Sequence, residues 1–183
     1  LYSFQTDVVY QVLKRDGVCY SKEEYVRKKY KESAKVFINA YGWFVKEAQH
    51  IVPKPEGAEY PYWAFTDLYN VDQTGDGHVL TLDVPIGEAI LFDMFDWTKI
   101  MQMHYIGENE SEEATFSEEL KNMGMNEFQI MTSNFYPEQK ARIQESWKRL
   151  FGHQQAIEAG DNSGVHSVQA GLWCIKDEWI VKE

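Results

Sequence analysis

Apolar residues recur along this chain in two rhythms, and the places where the rhythm changes divide it into elements. Leu1-Tyr2-Ser3-Phe4-Gln5 reads as a buried first strand that ends on an uncharged amide. Thr6 or Asp7 is placed to cap a helix over residues 8–14 that turns Val8, Val9, Val12 and Leu13 inward, and Asp16-Gly17 stops it. Val18-Cys19-Tyr20 is short and extended. Ser21 and Glu24 have the spacing of a capping box, which predicts a charged helix running to about Lys31. A longer helix follows, with Phe37, Ala40, Tyr41, Phe44 and Ala48 at helical spacing, and Pro53 and Pro55 end it.

The middle of the chain turns to period two. Residues 60–65 make a strand whose start Pro61 confines to a sheet edge. Residues 78–84 set Leu80, Leu82 and Val84 on one face against Val79, Thr81 and Asp83 on the other. Residues 89–92 are apolar throughout, and 97–105 read as helix. The acidic stretch 107–115 predicts a mobile loop. Pro137 suits the first position of a helix with Ile143, Trp147, Leu150 and Phe151 along one side, stopped by Gly152. After loop chemistry at 159–164, strands over 168–175 and 179–181 close the chain, and both are expected in the sheet interior. This order is α+β within one domain over 1–183, without repeats or a domain-sized linker.

A chain of 183 residues can bury about two-thirds of its unfolded surface. Six Trp, eleven Tyr and ten Phe favour a large core and an aromatic-lined cleft. The net charge of −11 opposes nucleic acid and anionic membranes. The basic run Arg27-Lys28-Lys29 with Lys31 reads first as a solvated helix face. Cys19 and Cys174 form no C-x-x-C, and the histidines have no zinc spacing, so reduced core thiols of a cytoplasmic protein without a metal are expected. No apolar run approaches the ~20 residues of a membrane span, and no leader peptide is visible. The chain starts at Leu1 and not at Met, so its native start is expected upstream.

Two glutamines stand out, because an amide inside an apolar strand is costly without partners. Gln5 shares a face with Leu1 and Ser3, and Gln169 shares one with Gly171 and Trp173. They suggest one polar site inside a mainly β core, or else two structural amides bonded to backbone. Gly171 admits close approach by a ligand or another strand. Tyr60 and Tyr62 alternate with Trp63 and Phe65, so one pair forms either a stacking wall for a planar ring or plain core. Asp93 and Asp96 follow a buried strand and either share a site or leave Asp96 to cap a helix beginning at Trp97. That helix start suits an anion such as pyrophosphate, which both carboxylates oppose. Residues 70–77 have a faint calcium-loop pattern, but Thr81 stands where the bidentate Glu belongs, and Asp76-Gly77 reads as a hairpin turn. Glycine-rich phosphate loops, G-x-S-x-G and H-E-x-x-H are absent from the sequence.

Five motifs in order carry a resemblance. They are Leu1-x-x-Phe4-Gln5, Glu56-Gly57 with Tyr60-Pro61-x-Trp63-Ala64, Phe95-Asp96-Trp97, Ser146-Trp147-x-x-Leu150-Phe151, and Val168-Gln169-Ala170-x-x-Trp173. Together they look like an uncharacterised bacterial family, a domain of unknown function, over most of the chain outside about 107–135. A second, more distant resemblance is to the small ADP-ribosyltransferases, carried by the opening strand, helix, Gly and short strand, and by the paired strands of 78–92. It implies a split β-sheet sandwich with flanking helices, with NAD held in its cleft. It also implies three signature parts, on the first strand, a middle strand and a late strand.

By position Ser3 stands where that family has Arg or His, with Gln5 two residues on. Tyr62 or Trp63 takes the aromatic part, and Gln169 the late Glu or Gln. The resemblance thus implies that Ser3, Tyr62 and Trp63 contact NAD as substrate, with Gln5, Gln169 and Asp96 as catalytic groups. Asp96 is assigned the charge that an amide at Gln169 does not supply to an oxocarbenium-like state. The expected function is transfer of ADP-ribose to a macromolecular acceptor, protein or nucleic acid, as a bacterial toxin or phage-defence effector with a possible antitoxin partner and no membrane. The alternative is a non-catalytic binding module with an aromatic cleft.

Overall fold

The computed structural model describes residues 1–30 and 34–182. In chain order the elements are β1 (Tyr2–Gln5), α1 (Asp7–Asp16), β2 (Val18–Tyr20), α2 (Glu23–Tyr30), α3 (Ala34–Ala48), β3 (Tyr62–Phe65), β4 (His78–Leu82) and β5 (Ala89–Asp93). There follow α4 (Met94–Met101), α5 (Glu110–Asn122), α6 (Glu127–Thr132), α7 (Pro137–Ser146), α8 (Gln154–Glu158), β6 (Val168–Leu172), β7 (Cys174–Lys176) and β8 (Ile180–Lys182). Tight 3-10 turns lie at Leu68–Asn70, Ile86–Glu88, Trp147–His153 and Asp177–Trp179. The architecture is mixed α and β. Six strands form one antiparallel sheet in the order β5-β6-β3-β1-β4-β8, and β2 pairs with β7 in a second, two-stranded sheet.

Local chemistry explains most boundaries and also the departures from the sequence pattern. Gly17 ends α1 at φ 76°, a left-handed position that costs glycine little. Val8 on that helix is exposed and Leu13 is its buried residue, so the inward face is narrower than the spacing implied. Ser21 is not a helix cap. It bridges to Tyr60, its carbonyl accepts from Glu59 and Tyr60, and the first N–H of α2 is taken by the Glu59 carboxylate at 2.8 Å. The helix end expected at Lys31 lies outside the described residues. Helix α4 begins at Met94 and is capped by Asp93, not by Asp96 before Trp97.

The acidic stretch expected as a loop over 107–115 supplies the first half of α5. Asn109 caps it, and Glu110, Glu112 and Glu113 in its first turn complement the helix dipole. The strand expected over 168–175 divides at Trp173, where the chain leaves the large sheet to pair with β2. Of the terminal strands β6 is interior, while β8 lies at the sheet edge with Val181 exposed. The turn before β4 does not close a hairpin with β3, because β1 lies between them.

Helices pack on both faces of the large sheet, on the first of them over β5, β6 and β3. On one, Phe44 of α3, Trp97 and Ile100 of α4, Leu120 of α5 and Trp147 pack against Ile90 and Phe92. On the other, Leu13 of α1, Ile157 of α8 and Trp179 pack against Ala64, Leu80, Leu91 and Ala170. The free edge of β5 is closed by the Gln154 amide, which accepts from Leu91 N at 2.5 Å and donates to Ala89 O at 3.2 Å. Gly171 matters for packing. A Cβ there would lie 2.9 Å from Phe44 Cζ and 3.2 Å from Cε1, and Phe44 is wholly buried. Gly171→Ala is therefore expected to cost about 1–3 kcal/mol by overpacking. An unchanged urea midpoint would mean that the Phe44 ring is free to yield.

Candidate functional site

The sheet is nearly divided down its middle. Strands β1 and β3 share the single pair Tyr2↔Phe65, whereas β1 and β4 share four pairs and β5 and β6 share five. Beyond Tyr2 the join is made by side chains: Ser3 Oγ donates to Trp63 O at 2.8 Å, and Gln5 Nε2 donates to Ser3 Oγ at 2.8 Å.

Register also decides which side chains share a face. The pairings Phe92↔Gln169, Gln169↔Phe65, Phe65↔Tyr2 and Tyr2↔Thr81 place five residues in one row across the sheet. Phe92 and Gln169 lie under the helices, while Phe65, Tyr2 and Thr81 are half-buried, as are Phe4 and Val79 on the same face. The helical cover over β5, β6 and β3 thus gives way to a barer aromatic surface over β1 and β4.

Gln169 sits at that step. It is 3% exposed, and its Oε1 accepts no hydrogen bond from any described residue. A buried carbonyl without a donor costs roughly 1–3 kcal/mol, so its retention calls for an explanation. Two residues along the same face, Gly171 lies opposite Trp63, a half-buried indole that donates to Tyr41 Oη at 3.0 Å. Trp63 also packs against Trp97 at a ring separation of 4.8 Å and Phe44 at 5.1 Å. The room over Gly171 that suggested ligand approach is filled by Phe44 and Trp63.

The other expected site residues face away. Since Gln5 is three residues from Tyr2, strand alternation turns Gln5 and Ser3 to the face opposite Gln169. Tyr62 shares that opposite face, and its hydroxyl donates to Cys19 Sγ at 3.1 Å inside the core. Burial first, then this bond, push the Tyr62 phenol far above its ordinary value. The expectation of one polar site shared by Gln5 and Gln169 is therefore corrected: Gln169 and Trp63 share a face, whereas Ser3, Gln5 and Tyr62 clamp the seam and the second core. Both cysteines are free and buried, with burial raising the Cys174 thiol to about 11.

The end of β5 holds a second cluster. Asp93, 3% exposed, accepts from Phe95 N at 3.0 Å, His166 N at 3.1 Å and Ser167 N at 3.4 Å. His166 Nδ1 lies 2.8 Å from its Oδ2. Burial pushes this carboxyl up, but the His166 bond and the three backbone donors outweigh it and hold the group below the usual range. The His166 side chain is 73% exposed and its ring packs on Phe95 at 4.8 Å. Asp96, on the first turn of α4, is half-buried with Lys99 Nζ at 3.7 Å. Burial raises its pKa and Asp93 adds to the rise, while Lys99 and His153 oppose it. His166 was not legible as a candidate. Its one signal was its place two residues before a buried strand.

A cavity of about 380 Å³ lies elsewhere, lined by Lys99, His104, Tyr105, Glu113 and Glu127 among others. Lys99 pairs with Glu113 at 2.6 Å and His104 with Glu127, and none of its lining side chains has a buried, unpartnered atom of the kind that marks Gln169. Glu127 also accepts from Tyr105 N at 3.0 Å, tying the end of α4 to the start of α6. The Glu127 hydrogen bond raises the His104 pKa against the effect of burial. The stabilising contribution of this pair is thus complete below the unfolded His value of about 6.5 and is lost as pH rises through the folded one. Urea midpoints of the wild type relative to His104→Gln are expected to fall between about pH 6 and 8. A parallel pair of profiles would remove the assignment.

Among the described residues, no group of three or more His, Cys, Asp or Glu is arranged to hold a metal ion, and no helix is long and apolar enough to cross a membrane. Arg27 of the basic run is paired with Glu23 on its own helix, and Lys31 lies outside the described residues. In comparison with known proteins, a family model described as Domain of unknown function (DUF3841) matches residues 1–181. No curated protein and no solved structure matches the chain.

Proposed function

The chain belongs to this family of unknown function, and we propose that it is an NAD-dependent protein of the ADP-ribosyltransferase type, with its site at the aromatic step beside Gln169. The observation that carries the reading is the buried, unpartnered carbonyl of Gln169 next to a half-covered aromatic face. A hydroxyl or carboxamide N–H of NAD supplies the missing donor, and Trp63, Phe65 and Tyr2 offer surfaces for a planar ring. A second support is topological. The first, middle and late strands that carry the signature parts of that enzyme type correspond to β1, β3 and β6, which are consecutive in the sheet, and the sheet opens between the first two. In the split-sandwich form that this reading implies, the opening between β1 and β3 would separate the two half-sheets.

In this reading the bond from nicotinamide to the ribose C1′ breaks and positive charge develops on the ribose. Gln169 keeps a hydrogen bond to the nucleotide, and Asp96 supplies negative charge. A charge-stabilising contact of this kind is worth about 3 kcal/mol, or on the order of a hundredfold in rate. The carrier would be a bacterial cytoplasmic toxin or defence effector acting on a macromolecule.

Calorimetry with NAD, beside release of nicotinamide from labelled NAD, tests the proposal. NAD binding by the wild type and by Asp96→Asn, with release reduced about a hundredfold in the variant, is the expected result. A wild type that binds no NAD overturns it. One observation favours a second reading, a non-catalytic module that holds its ligand without reacting: Gln169 is an amide where the reaction profits from a carboxylate. Binding without release by the wild type would select that reading.

A further inference from the structure

We propose that His166, oriented by Asp93, is the proton acceptor for a hydroxyl group on a protein substrate, an inference that rests on the NAD reading above. Among the described residues, Asp93 and His166 form a pair with the geometry of acid–base catalysis. A buried carboxylate fixed by three backbone N–H groups accepts from one imidazole nitrogen at 2.8 Å, and the imidazole itself is 73% exposed. With Nδ1–H donating to Asp93, Nε2 is the nitrogen left to take a proton. The Phe95 ring at 4.8 Å limits the imidazole from one side.

The pair adjoins the proposed nucleotide site along the chain, at the end of β5 and just before β6, where Asp93 is paired with Val168. His166 precedes Gln169 by three residues, with a bend at 166–167 before β6 begins, so their Cα atoms lie within about 10 Å of one another. Asp93 caps α4, whose first turn carries Asp96 and the Trp97 that packs on Trp63. Neither the packing nor the capping of α4 requires the imidazole to be exposed.

The chemistry identifies the acceptor class. As the bond between C1′ and nicotinamide breaks, its electron pair leaves with neutral nicotinamide. The acceptor oxygen forms the new bond to C1′, and its proton passes to His166 Nε2 and then to water. A carboxylate acceptor carries no proton to remove and a thiol ionises near about pH 8.5 with little help, so an exposed, carboxylate-oriented imidazole is matched to a hydroxyl. The net charge of −11 disfavours a polyanionic acceptor and leaves a protein hydroxyl.

The test incubates labelled NAD and cell extract with the wild type, His166→Ala, Asp93→Asn and the double variant, each checked for folding and for NAD binding by calorimetry. Label is expected on protein, in a linkage that resists neutral hydroxylamine. His166→Ala is expected to bind NAD within about twofold of the wild type and to transfer on the order of a hundredfold less, with partial rescue by added imidazole. Asp93, a positioning residue, acts through the histidine, so Asp93→Asn is expected to lower transfer alone but not further in the His166→Ala background. Wild-type transfer by His166→Ala, label confined to nucleic acid, or hydroxylamine-labile label overturns this proposal while the NAD reading stands. Binding without turnover by the wild type also overturns it, and a wild type that binds no NAD removes both.

Discussion

Gln169→Leu is expected to stabilise the protein by about 1–2 kcal/mol and to abolish NAD binding. The two effects have one origin. The Gln169 carbonyl is buried without a donor, between Phe92 and Phe65 in the row and beside Gly171 along the strand. Leaving such a group unsatisfied costs roughly 1–3 kcal/mol, and an apolar side chain of similar shape avoids that cost. The same substitution removes the acceptor proposed for the nucleotide. Urea unfolding and NAD calorimetry on one preparation check both halves. A lower urea midpoint would mean that the amide has a structural partner, and retained NAD affinity would move the site away from β6.

Asp93→Ala is expected to lose about 3–4 kcal/mol, a large share of a typical domain's stability. The carboxylate caps α4 and takes the backbone N–H groups of Phe95, His166 and Ser167 as well as the His166 ring. Losing the cap alone costs about 1 kcal/mol, and each buried N–H left without an acceptor adds more. Asp93→Asn keeps an oxygen for some of these donors and should lose less. The acid dependence gives a separate check. A carboxylate held below its unfolded value of about 3.9 contributes its full stability above that value and loses it as pH falls through the folded one. The wild type should therefore lose more stability than Asp93→Asn between about pH 5 and 2. Equal acid slopes in the two proteins would remove the assignment of this hydrogen-bond set.

Asp93 also marks a limit of reading strand ends from sequence. The pair Asp93 and Asp96 was visible there as two acids after a buried strand, but not which of them caps the helix. A carboxylate caps by reaching the N–H two residues on, and Asp93 is in place to reach Phe95 because β5 ends there. The acidic run that opens α5 misled for a related reason. Glu110, Glu112 and Glu113 look like solvated loop, yet behind an Asn cap they are the acids that favour a helix start. Neither His166 nor the aromatic step was legible, because both depend on partners brought from distant parts of the chain.

The sequence by itself determined the class of the fold, most strand and helix positions, the two free core thiols and the place of Gln169 inside an apolar strand. Those follow from local rules: periodicity, turn residues, and the cost of an amide in an apolar strand. Only the tertiary structure decided what Gln169 shares its face with. Side chains alternate along a strand, so a single residue of register moves a neighbour to the opposite face. The β3–β6 register, Phe65 opposite Gln169, sets Trp63 on the side of Gln169 and Tyr62 on the other, and the one pair joining β1 to β3, Tyr2 with Phe65, turns Ser3 and Gln5 to the face of Tyr62. That register depends on how strands more than fifty residues apart come together, which no local pattern encodes.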